Sequence, residues 1–212
     1  MAHLFTRSLT FLSNDLGNEA SIMLTFDGDM EGLYEDFFPV VWKVSTFGEA
    51  GSYAAKATYT SQLAFSKPQV RIGNIINAET CVKINDGEKT TLTEADGVYQ
   101  FSAPQAGTTG VLEAMNSTGA VQDIAVGFMS MGQLMPTPAL YFNGVGDKSH
   151  VTAKFTPVLR AYITSDYQET AILRGAIDTP AIWSRNLAEL APSTTWILTH
   201  DPASGKYTIA QA

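Results

Sequence analysis

Residues 27–38, DGDMEGLYEDFF, bring five carboxylates and a glycine into one short stretch. Calcium loops of the EF-hand type place oxygen ligands at alternate positions from the first to the ninth and a bidentate carboxylate at the twelfth, with glycine at the sixth. The twelfth residue here is Phe38, and the preceding run alternates like a strand. The matching residues are Asp27, Asp29, Glu31, Gly32 and Glu35. The segment is therefore either a calcium loop or an acidic, solvated connection between strands.

The side chains that most often bind transition metals are few and scattered. His3, His150 and His200 lack the paired spacing of a metal site, and we interpret Cys81 as a small buried hydrophobe. Residues 203–206, ASGK, resemble the end of a phosphate-binding loop, but His200 stands where that loop needs its first glycine. We expect no metal site and no cofactor. Catalytic residues stay unknown, because acids and bases assembled by folding leave no local pattern.

One predicted strand, residues 159–166 (LRAYITSD), carries a more informative set of side chains. Alternation places apolar residues on one side and Arg160, Tyr162 and Asp166 on the other. An aromatic ring beside a guanidinium and a carboxylate suits a polar ligand with an apolar face, such as a sugar. We predict these three residues as ligand contacts. The alternative is an ordinary outer face on which Arg160 and Asp166 pair with neighbouring strands.

Charge and composition exclude several classes of partner. The chain has 212 residues and a formal net charge of −8, with no cluster of Lys or Arg, so we expect no nucleic acid and consider a membrane partner unlikely. With Cys81 as the one cysteine, no intrachain disulfide can form, and the first residues lack the pattern of a signal peptide. We predict a cytoplasmic location.

The elements that must position these residues are predominantly strands. Short alternating runs rich in Val, Ile, Thr, Tyr and Phe are separated by Gly, Asn, Asp and Pro. Hairpin turns are expected at 85–87, 95–97, 116–119 and 201–205. Two segments favour short helices, namely 165–168, with a capping-box pattern, and 179–192, with Thr and Pro at its start. We predict one all-β domain over 1–212, an antiparallel β-sandwich or distorted barrel of about a dozen strands with one or two short C-terminal helices.

Residues 128–138, FMSMGQLMPTP, form a region rich in methionine, glycine and proline. Its methionines form either an adaptable apolar patch around a ligand or a loop packed against the core.

Four segments carry a resemblance to known proteins. They are residues 155–177 (FTPVLRAYITSDYQETAILRGAI), 193–209 (STTWILTHDPASGKYTI), 37–48 (FFPVVWKVSTFG) and 123–129 (DIAVGFM). The chain resembles uncharacterised intracellular proteins of mushroom-forming (basidiomycete) fungi. The resemblance implies a fungal, intracellular protein and transfers no activity and no functional residue.

From these observations we expect a non-enzymatic binding protein, lectin-like or small-molecule-binding, whose partner is a small molecule or a carbohydrate. A homo-oligomer is possible. Two alternatives stay open: an enzyme whose acid and base residues meet in an apolar cavity, and a membrane-active defence protein.

Overall fold

The protein is built almost entirely from β-strands. The computed structural model describes residues 4–28, 30–72, 74–164 and 166–212. Within these residues the strands are β1 (Thr6–Asn14), β2 (Ala20–Thr25), β3 (Phe38–Pro39), β4 (Val41–Phe47), β5 (Ser52–Thr60), β6 (Leu63–Arg71), β7 (Ile75–Ile84), β8 (Glu88–Ala95), β9 (Val98–Phe101), β10 (Gln105–Ala106), β11 (Leu112–Ser117), β12 (Gln122–Phe128), β13 (Thr137–Val145), β14 (His150–Ala153), β15 (Val158–Ile163), β16 (Trp183–Asn186), β17 (Ser193–Asp201) and β18 (Lys206–Gln211). The all-β prediction is confirmed. No helix among the described residues is long and apolar enough to cross a membrane.

The strands form four sheets, each with an edge strand at both ends of its order. Sheet 1 has the order β18-β17-β1-β5 and sheet 2 the order β16-β15-β2-β4. Sheet 3 has the order β3-β13-β12-β6-β7, and sheet 4 the order β10-β8-β11-β14, with β9 also paired to β8. Pairing is mostly antiparallel, although β1 runs parallel to β17 and β8 parallel to β11. The arrangement is sandwich-like, which is the first of the two predicted forms.

Two large apolar clusters lie between these sheets. The first joins side chains of sheets 1 and 2, including Phe11, Trp196 and Leu159. The second joins side chains of sheets 3 and 4, including Phe65 and Leu112. Burial of this apolar surface is the dominant force that holds the layers together. Leu63 and Phe155 pack against both clusters. The pair formed by sheets 1 and 2 therefore contacts the pair formed by sheets 3 and 4. The prediction of a single domain over 1–212 stays a prediction.

Turn chemistry explains two of the four predicted hairpins. Asp96 and Gly97 both have positive φ, 52° and 81°, and form the two-residue turn between β8 and β9. Residues 201–205 join the paired strands β17 and β18. The predicted turns at 85–87 and 116–119 instead connect strands of different sheets, because β7 and β12 belong to sheet 3 whereas β8 and β11 belong to sheet 4. The turn residues were recognised, but the pairing partners were not.

The predicted C-terminal helices are wrong for the described residues. Within 179–192 the chain forms β16 and then one turn of 3-10 helix over Leu187–Glu189, capped by the Asn186 side chain. Trp183 and Leu187 are buried in the first core cluster. Their spacing of four fits a helix face, but it also keeps two residues on one side of an extended chain. The chain is extended here because β16 pairs with β15. In the other segment, Ser165 lies outside the described residues, and 166–168 are not helical.

Candidate functional site

The predicted contact strip lies on β15, in the middle of sheet 2. β15 pairs with β2 on one side and β16 on the other. As predicted from alternation, Leu159 and Ala161 face the first core cluster. Arg160 and Tyr162 lie on the opposite face, where Tyr162 is only 5% exposed. This opposite face is therefore not simply a solvated surface.

Tyr162 and Arg160 both bind Asp27, the first acidic residue of the calcium-like segment. The Tyr162 hydroxyl donates a 2.5 Å hydrogen bond to Asp27 Oδ2, and Arg160 Nη1 donates a 3.1 Å bond to the Asp27 carbonyl oxygen. Asp27 is itself only 5% exposed. Burial, and then the hydrogen bond to Asp27, raise the pKa of Tyr162 above its ordinary value. Tyr162, Arg160 and Asp27 thus form a hydrogen-bonded cluster inside the protein.

A small apolar cluster covers the ring of Tyr162. Met23 of β2, Val41 of β4 and Leu173 are buried against it, and Tyr34 and Tyr167 pack at its margin. The segment after β15 provides this cover, since Ala171 forms backbone hydrogen bonds with Val41 and Gln168. A ligand would have to displace this segment to reach the Tyr162 ring.

Asp166, the third predicted contact, is exposed and lies three residues beyond the end of β15. Its backbone amide donates a 3.3 Å hydrogen bond to Thr164 Oγ1. The structure thus brings Arg160 and Tyr162 together on Asp27. The backbone amide of Asp166 instead bonds a residue only two positions earlier in the chain. The binding role of the three residues stays a prediction.

The acidic segment forms a tight turn around Gly32. Gly32 has φ +83°, and its carbonyl accepts hydrogen bonds from the amides of Glu35, Asp36 and Phe37 at 3.2, 2.8 and 3.3 Å. Glycine therefore makes the sharp bend that the sequence indicated, since positive φ favours it. Asp29 lies outside the described residues. Over the part of the chain that the structure describes, no group of three or more His, Cys, Asp or Glu side chains could hold a metal ion.

The other residues singled out in the sequence are dispersed. His150 is exposed on β14, and His200 stacks on Tyr207 with ring centroids 4.5 Å apart. His3 lies outside the described residues. Cys81 is half-buried; its thiol donates a 3.5 Å bond to the Leu134 carbonyl, and burial raises its pKa. A raised pKa lowers the thiolate fraction and hence the nucleophilicity of a cysteine.

A concave feature lies beneath the first part of residues 129–136, which we name the methionine loop. The loop leaves β12 and is fixed on the β5–β6 turn, where the Met129 amide donates a 2.8 Å hydrogen bond to Gln62 O. The Thr60 hydroxyl also binds the Met129 carbonyl. Beyond this anchor the loop projects outward, with Met131 94% and Leu134 88% exposed. Exposed apolar side chains that lie close together are a common feature of interaction sites, whereas isolated ones are ordinary.

A cavity of about 380 Å³ lies between this loop and the start of the chain. Its polar wall groups are largely engaged within the protein. Gln62 Nε2 donates to the carbonyls of Leu63 and Ile84 at 3.1 and 3.2 Å, and Ser61 Oγ accepts from the Phe5 amide at 2.9 Å. The wall therefore presents mainly aliphatic and aromatic atoms. It is formed by Leu4, Phe5, Thr6, Thr60, Ser61, Gln62, Lys83, Met129, Ser130, Met131, Gly132 and Gln133.

A second depression, of about 570 Å³, lies on the other side of the methionine loop. Leu134 and Met135 contribute exposed apolar surface to it, whereas Trp42 and Ile76, which also line it, are almost fully buried. Gln133 lines both concavities. At its border Lys43 and Glu169 form a 3.2 Å ion pair. The methionine loop is thus flanked on both sides by apolar concave surface.

The sequence pattern drew attention to the methionines of this loop but left two interpretations of them open. The methionines were noted as a possible apolar patch around a ligand, but Phe5, Gln62 and Lys83 were not connected to them. Gln62 and Lys83 approach the loop because β6 lies between β12 and β7 in sheet 3, and Phe5 is held beside them by its hydrogen bonds with Ser61. No local pattern signals such a meeting.

Comparison with known proteins assigns the chain to no family. No protein-family model matches the chain, and neither a curated protein nor a solved structure matches it. The resemblance to fungal proteins stays a prediction.

Proposed function

We propose that the protein is a non-enzymatic binding protein for a small molecule with an apolar body, which it holds in the cavity beneath the methionine loop. One observation carries this proposal: a concave apolar wall is adjacent to a loop whose Met131 and Leu134 side chains project into solvent. A volume of about 380 Å³ falls in the range of small-ligand sites, which are mostly apolar with a few polar groups. Binding in this cavity would remove the Met131 side chain from water, whereas Leu134 lines the neighbouring depression.

The chemistry of the wall defines the ligand class. Thr60, Ser61 and Gln62 use their polar groups in internal hydrogen bonds, so they offer little to a strongly polar ligand. Methionine side chains are flexible and polarisable, and they adapt to irregular apolar shapes. The ammonium of Lys83 has no hydrogen-bond or ion-pair partner among the described residues. An apolar body with one acceptor or anionic end therefore fits this cavity best.

The proposal is tested by titrating the protein with an anionic naphthalene dye and with medium-chain carboxylic acids as competitors. We expect saturable binding that Met131→Gln weakens about tenfold, the equivalent of one apolar side chain removed from the contact. Val98→Gln is the matched control, because Val98 is an exposed apolar residue of β9 outside this cavity. It should leave the affinity unchanged.

Three outcomes would contradict the proposal. The dye does not saturate, both variants weaken binding equally, or the protein sediments with neutral liposomes in a manner lost in Met131→Gln. The last result would assign the loop to a membrane surface instead.

A further inference from the structure

We propose that the outer face of sheet 4 carries a separate site for a small polyhydroxylated ligand of sugar size. Alternation along β8, β11 and β14 directs Leu92, Ala114 and Val151 into the second core cluster. The intervening side chains face outward. They meet because the strand register places Lys89 beside Glu113 and Met115 beside His150.

These outward side chains line a depression of about 330 Å³. Gln105 of the short edge strand β10 closes one end, where it lies opposite Lys89. His150 of the other edge strand, β14, lies at the opposite end. The lining residues with outward side chains are Lys89, Thr91, Gln105, Glu113, Met115 and His150. Thr90 also borders the depression, but its side chain is buried and donates to the Ser102 carbonyl.

The polar groups of this depression are mostly unengaged, in contrast to those beneath the methionine loop. Among the described residues, the side chains of Lys89, Gln105 and His150 make no hydrogen bond or ion pair. Glu113 Oε2 accepts a long bond of 3.4 Å from the Thr108 amide, and no ion pair joins it to the adjacent Lys89. The depression thus offers several donors and a carboxylate acceptor to a ligand.

This set of groups selects the ligand class. The Glu113 carboxylate would repel an anion, and the Lys89 ammonium would repel a cation. A charged ligand of either sign therefore has an unfavourable contact with one of the two groups. A neutral polyol presents hydroxyls that both donate and accept, and it can satisfy both groups at once. Charged side chains form the stronger hydrogen bonds to such hydroxyls. Met115 adds apolar contact for the C–H surface of a sugar ring.

The site is independent of the proposed function. None of its lining residues lines the cavity beneath the methionine loop, and its strands belong to sheet 4 alone. Failure of either proposal leaves the other unaffected.

An array of immobilised mono- and disaccharides, followed by calorimetric titration with the free sugar of the strongest signal, tests this inference. We expect saturable binding that Glu113→Gln and Gln105→Ala each weaken at least about tenfold, because the first replaces a charged acceptor with a neutral amide and the second removes a hydrogen-bonding group. Gln100→Ala is the matched control: Gln100 is an exposed glutamine of β9, in the same sheet but outside the depression. Circular dichroism checks that every variant is folded, and Lys89→Ala provides a further exposed test position.

The proposal is overturned if no sugar on the array binds, or if Glu113→Gln, Gln105→Ala and Lys89→Ala all bind as the unmodified protein does. It is also overturned if binding is lost in Asp166→Ala and kept in these variants. That result would place the sugar at the strip predicted on β15.

Discussion

The Tyr162 hydroxyl and the Asp27 carboxylate are 135 positions apart in the chain and form a buried 2.5 Å hydrogen bond. This contact joins the C-terminal end of β15 to the beginning of the acidic segment that follows β2. Asp27 therefore faces the protein interior, although its sequence context resembles the first ligand position of a calcium loop. A buried charge requires such partners, because desolvation without compensation is costly.

Loss of the Tyr162 hydroxyl should destabilise the protein. Tyr162→Phe keeps the ring in its apolar cluster but removes one donor from a buried carboxylate, so we expect the free energy of unfolding to fall by about 1–3 kcal/mol. Urea denaturation followed by tryptophan fluorescence measures the change. Tyr207→Phe is the control, since the Tyr207 hydroxyl makes no hydrogen bond among the described residues. Equal stability of Tyr162→Phe and the unmodified protein would show that the contact contributes little.

Alkaline pH should weaken the fold through its tyrosines. Burial, and then the negative charge of Asp27, raise the pKa of Tyr34 from 10.0 to about 12. Burial likewise raises the pKa values of Tyr59, Tyr141 and Tyr162. A raised folded-state pKa contributes stability that is fully present below the unfolded value, near pH 10, and is lost as the pH rises toward the folded value.

For half-buried Tyr34, solvent screening limits this loss to about 1 kcal/mol per pH unit between pH 10 and 12. Urea denaturation over this range, with tyrosinate absorbance recorded in parallel, measures the slope. Tyr34→Phe should make it shallower. Stability that stays constant above pH 10 would contradict the argument.

Strand alternation explains why much of the fold was predictable. On β1, residues Leu9, Phe11 and Ser13 are buried while their neighbours are less so, which is the period-two pattern that the sequence shows. The same rule correctly separated Leu159 and Ala161 from Arg160 and Tyr162 on β15. Alternation identifies two faces, but it does not reveal which later segment covers one of them. Alternation alone therefore predicts an exposed strip on β15. In the structure, apolar side chains from residues 166–177 cover the Tyr162 ring.

Asn116 shows how a local motif can conceal a long-range role. It stands in a sequon-like Asn-Ser-Thr triplet at a turn, yet it is 0% exposed. Its amide nitrogen donates to the carbonyls of Ala120 and Val145 at 2.7 and 2.8 Å, and its amide oxygen accepts from the amide and hydroxyl of Thr118. The side chain thereby joins the end of β11 to the end of β13.

Removal of this amide should be costly. Asn116→Ala leaves the buried Val145 carbonyl without its side-chain donor, and we expect a loss of about 2–4 kcal/mol in the free energy of unfolding. Asn77→Ala is the control, because Asn77 is exposed and its side chain makes no hydrogen bond among the described residues. Thermal denaturation measures both. A melting temperature for Asn116→Ala equal to that of Asn77→Ala would refute the role assigned to Asn116.

Gly127 is required where β12 meets β13 at an irregular register. A Cβ atom at this position would lie 2.2 Å from the Thr137 carbonyl oxygen, far inside normal contact distance, and this oxygen belongs to the backbone. Gly127→Ala should therefore displace β13 and cost about 1–3 kcal/mol, as overpacking generally does. Gly175→Ala is the matched control, since nothing lies within 4 Å of its added Cβ. Equal denaturation midpoints for the two variants would contradict this prediction.

Differential oxidation of the methionines tests how the methionine loop is exposed. Met131 is 94% exposed, whereas Met129 is 8% and Met23 is 0% exposed. Because peroxide oxidises accessible thioethers first, we expect sulfoxide to form at Met131 before Met129, and at Met23 only on unfolding. Peptide mass spectrometry over a time course measures the order.

A ligand held beneath the loop would slow oxidation of Met131 and leave a distant methionine unchanged. Met115, which is half-buried on β11 outside that cavity, serves as the internal reference. Simultaneous oxidation of Met131 and Met23 in the folded protein would contradict the exposed loop. Equal protection of Met131 and Met115 by the naphthalene dye would indicate general shielding rather than binding in the cavity, because a specific site shields only the side chains that line it.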